Sequence, residues 1–282
     1  RQLNVVAFPS DQTPKHFFYP FMLTIRMLGE SAIYLHDDHP LLFRTRKAEA
    51  IFYYLVAEAK SVDRRMLAEM FWPEMTTANA QKNLRTVLPH LRKDLDDYLQ
   101  ISTNEIAFNQ RLLHQIDLYQ LRQLATDSSL TEEEKLDQFQ QIYRGEFLAA
   151  FTITNSVEFE EWLRGQRESA ADTAVTLLGQ MTERCLKSSN YATGIAAAQT
   201  WLKLEPWNEV AHRLCMQMFR QSNQRSAALL QYNRCFDYFA EELGVEPSAE
   251  TKKLYVQIQR DDLPVANPPQ SPKSTTRTSI RN

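Results

Sequence analysis

Six glycines in 282 residues narrow the folds open to this chain more than any other single feature. Glycine supplies the positive-φ turns and close backbone approaches on which dinucleotide-binding folds and phosphate-cradling loops depend. Their scarcity argues against a Rossmann domain, a large all-β barrel or a Gly-rich phosphate cradle, and in favour of helix. Hydrophobic residues make up 43% and charged residues 24%, an ordinary globular profile. At about 150 residues per domain, the length predicts about two domains.

No run reaches the roughly 18 consecutive apolar residues of a membrane span, and the N-terminus lacks the basic-then-apolar order of a secretory signal, so a cytoplasmic protein without membrane association is expected. Cys185, Cys215 and Cys235 are odd in number and contain no CxxC pair, which predicts buried thiols and neither a disulfide framework nor a metal site.

Residues 1–21 carry Pro9, Pro14 and Pro20 without helical period and read as an extended arm. From Leu23 to Leu35 two short β-rich runs flank Gly29–Glu30, and after the polar turn His36–His39 the segment LLF (41–43) is a third strand candidate. Thr45 offers an N-cap for a helix in which Ala48, Ile51, Phe52, Leu55 and Val56 share one face. A second, short helix starts at Ser61 and is closed by Pro73. Thr76 or Thr77 caps a third, ANAQKNLRTVLPHLRKDLDDYL, and LQIS-TNE-IAFN follows as a hairpin. Sheet, helix, short helix, long helix and hairpin within about 90 residues is the plan of a winged helix-turn-helix. The expected fold is therefore mainly α: a small α+β winged helix over 22–121, an all-α repeat domain over 122–262, and a Pro- and Ser/Thr-rich disordered tail or linker over 263–282.

In the third helix Leu84, Leu88, Leu91 and Leu95 form one narrow stripe, which is core. The opposite stripe holds Asn79, Lys82, Thr86, His90 and Lys93, flanked by Arg85 and Arg92. Donors and cations on a free helix face suit a major groove about 12 Å wide, although such a face is also found simply facing water. Residues 40–95 contain 10 basic and 6 acidic residues in a chain of net charge −3, the one candidate footprint for a polyanion. Arg44, Arg46 and Lys47 around the start of the first helix, and Arg64 and Arg65 at the start of the second, are further phosphate candidates. Pro89 predicts a bend, which either curves the helix along a groove or marks a face that is no longer a straight reader. The hairpin tip Thr103–Glu105 brings no cation of its own.

From Leu130 onward the pattern is helical, punctuated by Gly145, Asn190, Pro206, Asn223 and Gly244. A 34-residue shift maps Gly194 onto Ala228, Cys185 onto Phe219 and Ala198 onto Tyr232, as in degenerate tetratricopeptide-like helix pairs, whose usual work is to bind protein. Glu158, Glu160 and Glu161 around Trp162 read as solvated acids beside a core indole, or as a contact patch for a basic partner.

These blocks together resemble one family, the bacterial transcriptional activators of the SARP/AfsR type, in which an OmpR-like winged helix precedes a bacterial transcriptional activator domain. The resemblance runs from about residue 23 to 260. It is carried by SVDRRMLAEMFWPE, NAQKNLRTVLPHLRKDL and IDLYQL, then by YRGEFLAAF, FEEWLRGQRE, LEPWNEVAHRLCMQMF and the ending ELGVEPSAETKKLY. It implies binding to double-stranded promoter DNA through the third helix, with Arg85, Thr86 and His90 as base readers and Lys82, Arg92 and Lys93 on phosphates. It further implies that the helical domain makes dimer contacts or contacts with RNA polymerase or an effector domain; a homodimer is expected because one small winged helix seldom buries enough surface for tight binding, and no cofactor is expected. Such family members often continue into a further module, and the Pro-rich tail fits either a junction of that kind or an end.

Enzymatic motifs are missing from the sequence. His16, His36, His39, His90, His114 and His212 form no HExxH, and there is no GxSxG or P-loop, so a non-enzyme is expected. A protein-only scaffold is the competing reading, since residues 22–121 carry 12 basic against 13 acidic residues.

Overall fold

The computed structural model describes residues 22–35 and 40–260. The proposed arm, the His36–His39 turn and the Pro-rich tail lie outside the described residues. The chain divides into two compact units at Gln180/Met181, and the boundary expected at 121/122 falls inside the first of them.

The first unit opens with β1 (Leu23–Arg26) and β2 (Ala32–Leu35), followed by α1 (Arg46–Glu58), β3 (Val62–Asp63), α2 (Arg64–Phe71) and α3 (Thr77–Leu95). A wing of β4 (Leu99–Ile101) and β5 (Glu105–Phe108) comes next, then β6 (His114–Ile116), α4 (Asp117–Thr126), α5 (Glu132–Ile142) and α6 (Val157–Lys187), within which the division falls. One sheet has the order β2-β1-β6, with β1 and β6 parallel and in register Ile25 to Ile116; the other is β3-β5-β4. The mainly α fold with a winged helix and a helical-repeat region is the expected one.

Details differ from expectation. LLF (41–43) is not a strand: Leu42 is 87% exposed, and the third strand of the first sheet is β6, some 90 residues from β1 in sequence. Three apolar residues in a row gave a strand signal without the alternation a half-buried strand needs. The second helix begins at Arg64 rather than Ser61, because the Asp63 carboxylate caps it by accepting from the Arg65 and Met66 amides while Val62 and Asp63 extend the wing sheet. Thr76 occupies the N-cap position of α3, and the Thr77 hydroxyl donates to Glu69 instead, at 2.8 Å.

The core of the winged helix continues into the segment after α5. Asp117, 4% exposed, accepts from the backbone amides of Met27 (2.8 Å), Leu28 (3.0 Å) and Leu118 (2.8 Å), and from Arg144 Nη2 at 2.6 Å. Burial pushes its carboxyl above the usual carboxylate range, against the pull of those amides and of the Arg144 charge. Next to it Gly29, at φ 107°, meets Gly145 so closely that a Cβ on Gly145 would stand 3.2 Å from the Gly29 Cα; both positions need the missing side chain. Tyr53 stacks edge-on against Phe151, Phe71 lies 5.1 Å from Phe159, and Trp162 lies 4.8 Å from Tyr54. Burial of these rings holds α1 and α2 to the start of α6.

The second unit packs α7 (Tyr191–Leu204), α8 (Glu209–Gln221), α9 (Arg225–Tyr238) and α10 (Ala249–Arg260) around Ile195, Ala198, Cys215, Met218, Phe219, Ala228 and Tyr232. The small residues of the 34-residue pattern sit where helices cross: a Cβ on Gly194 would stand 2.4 Å from Met218 Sδ and 2.7 Å from Cys185 Cβ. All three cysteines are buried, and burial lifts the Cys215 and Cys235 thiols to about 12, far from a reactive thiolate. Glu209 ties the ending of the family block to α8, accepting from the Ser248 amide (2.7 Å) and from the Ser248 and Thr251 hydroxyls.

His212 is buried in the neutral state. Its Nε2 meets the Pro206 carbonyl at 3.0 Å and its Nδ1 meets Gln231 Nε2 at 2.7 Å, which fixes the tautomer with the proton on Nε2. Burial holds its pKa below the ordinary 6.5. The unfolded chain then takes up the proton first, so stability is complete above about pH 6.5 and is lost as pH falls through the depressed folded value. Denaturant midpoints should therefore decrease between about pH 7 and pH 5, and His212→Gln should flatten that part of the profile. An unchanged pH profile in the variant contradicts the assignment.

Candidate nucleic-acid interface

The third helix separates its faces as its period dictates. Leu84, Leu88, Leu91 and Leu95 are at most 5% exposed, whereas Asn79, Lys82, Arg85, Thr86, His90, Arg92 and Lys93 are all exposed. Lys82 to Lys93 spans about 16 Å at 1.5 Å per residue, roughly the length of five base pairs. The helix runs continuously through Pro89, itself exposed. Around the missing amide, Arg85 Nε donates to the Gln81 carbonyl (3.2 Å) and the Thr86 hydroxyl to the Lys82 carbonyl (3.1 Å). Pro89 supplies no amide to the Arg85 carbonyl, one turn earlier on the exposed face.

The cations fall into two groups. Among the described residues Lys82, Arg85 and Lys93 have no carboxylate partner, and Arg44 Nη1 lies 3.1 Å from His90 Nε2. Arg92 instead pairs with Asp96 at 2.6 Å, Arg65 with Glu69 at 3.1 Å and Arg46 with Glu49 at 3.0 Å. Exposed pairs of this kind hold their charges weakly and release them to a stronger anion. Arg46 also lies over the Phe151 ring, 4.2 Å from its centroid. Lys47 is the most committed: half-buried, it donates from Nζ to the Phe71 carbonyl at 2.6 Å over the Trp72 ring, closing the end of α2, and burial lowers its pKa.

Sequence reasoning named Arg64 as a phosphate candidate on the second helix but missed its place at the wing. Arg64 Nη1 donates to the carbonyls of Ser102 (2.9 Å) and Thr103 (3.4 Å), and the Arg64 amide donates to the Asn104 carbonyl at 2.7 Å. A turn with no positive residue of its own thus holds a guanidinium contributed by α2. The signal in the sequence was the arginine alone; its position depends on the short β3–β5 pairing. The acidic cluster resolves in part: Glu158 and Glu161 are exposed, Glu160 accepts from the Ile153 amide (3.1 Å), and half-buried Trp162 donates to Glu58 at 2.8 Å.

A family model described as the bacterial transcriptional activator domain matches residues 115–259, from β6 to the last turn of α10. The chain belongs to that family. The matched region contains both Asp117 and Arg144. In fold the chain is similar to EmbR of Mycobacterium tuberculosis, solved in complex with a low affinity phosphopeptide, with a TM-score of 0.57 and 18% sequence identity over 85% of this chain. The chain spans 65% of the length of that protein. No curated protein matches its sequence. No described helix is long and apolar enough to cross a membrane.

Proposed function

We propose that the protein is a sequence-specific DNA-binding transcriptional activator that lays α3 in the major groove. The observation that supports this most is the exposed face of about 16 Å on which Lys82, Arg85 and Lys93 have no carboxylate partner among the described residues. Arg85, Thr86 and His90 read base edges; Lys82, Arg92, Lys93, Arg44, Arg64 and Arg65 meet phosphates, and Arg46 and Lys47, tied to Phe151 and Phe71, contribute less. In the same reading it binds as a homodimer on repeated half-sites, because one small winged helix covers little DNA, and the helical domain contacts RNA polymerase or an effector domain. The protein acts in the cytoplasm and catalyses no reaction.

Fluorescence anisotropy on genomic promoter fragments across a salt series tests this. About six phosphate contacts per protomer give a slope of log affinity against log salt near −5 for each winged helix engaged. Absence of salt-dependent binding to any fragment favours the protein-only scaffold. Nanomolar binding by monomers to isolated half-sites contradicts the dimer.

A further inference from the structure

A cleft of about 540 Å³ lies beside the β2-β1-β6 sheet, within the first unit and apart from α3. Thr24, Ile25 and Arg26 of β1 and Gln115 of β6 line it together with residues of α4 and α5, and Asp127, Leu130 and Arg144 lie beside those helices. Its volume falls within the range of small-molecule sites. Five glutamines line it, Gln115, Gln120, Gln123, Gln138 and Gln141, and among the described residues none of their side-chain amides has a protein partner.

Each primary amide carries two N–H donors and a carbonyl acceptor, the pattern that hydroxyl groups complement. The charged residues add a polarity. Arg144 is spent on Asp117, but Arg26, its guanidinium 5.0 Å from the Tyr34 ring centroid, has no carboxylate partner among the described residues. Asp127 uses one carboxylate oxygen to accept from Ser129 and has the other left for hydroxyl donors. Among the described residues no aromatic ring lines the cleft, which disfavours a nucleobase.

The geometry points to a binding site for a small polyhydroxylated anion of the sugar phosphate or sugar acid class, its anionic group on Arg26 and its hydroxyls on the glutamines and Asp127. The site stands independently of DNA binding. Isothermal titration of the full chain without DNA tests it, using glucose 6-phosphate, ribose 5-phosphate and gluconate, with glucose and inorganic phosphate as the two halves of the ligand. At least one of the three sugar anions should bind saturably, about tenfold or more tighter than either half. Arg26→Gln should abolish the preference for the anion over glucose, and Gln123→Leu with Gln138→Leu should weaken binding about tenfold without changing the melting temperature. The proposal fails if none of the three sugar anions binds, if inorganic phosphate alone binds as tightly, or if the variants bind unchanged.

Discussion

Asp117→Ala lowers the melting temperature of the protein by about 10 °C. The carboxylate is buried and receives amides from Met27, Leu28 and Leu118 together with Arg144, so its removal leaves several buried donors unmet at once. Taking one partner from a buried ion pair costs about 3–5 kcal/mol, and a domain of this size loses roughly 2–4 °C per kcal/mol. Asn is no substitute, since its NH2 would face backbone N–H groups that need an acceptor. Arg144→Met costs less, because its side chain is 35% exposed and water replaces part of the contact. Calorimetry on the two single variants and the double variant isolates the coupling. A loss of under about 1 kcal/mol for Asp117→Ala contradicts this account of how β1 is joined to α4.

Arg85→Ala with Lys93→Ala weakens promoter binding about a hundredfold. A bidentate base contact is worth about 1–3 kcal/mol of discrimination, and a phosphate contact adds a sequence-independent share. The two substitutions separate in their signatures. Lys93→Ala alone should reduce the salt slope by about one and affect all sequences alike, while Arg85→Ala should also relax the preference for the specific site. Both residues are exposed, so melting temperatures should stay within the range of surface substitutions. Wild-type affinity in the double variant removes these residues from the interface.

The parts of this molecule that follow a local period were readable from its sequence. Leu84, Leu88, Leu91 and Leu95 recur at helical spacing, and all four are buried; Asn190 and Gly244 stand at helix boundaries as their turn chemistry requires. Non-local pairings were not readable. Nothing near Leu23 announces His114 as its parallel partner, and the two residues of β3 are too few to show alternation. The Asp117–Arg144 pair lies within two family blocks, yet neither block has a spacing that aims one at the other across 27 residues. The exposed face of α3 was legible as chemistry. The division between paired cations such as Arg92 and unpaired ones such as Lys82 was only partly so, because an i,i+4 acid is visible in sequence and the tie from Lys47 to the Phe71 carbonyl is not.

Photo-crosslinking from position 86 tests the central claim most directly. With Thr86 replaced by a photoreactive residue on the exposed turn of α3, irradiation of the promoter complex should join the protein to a base inside the binding site. The same residue at Asn233, exposed on α9, should give no DNA adduct. A complex that forms normally but yields no adduct from position 86 places the DNA on another surface and contradicts the account.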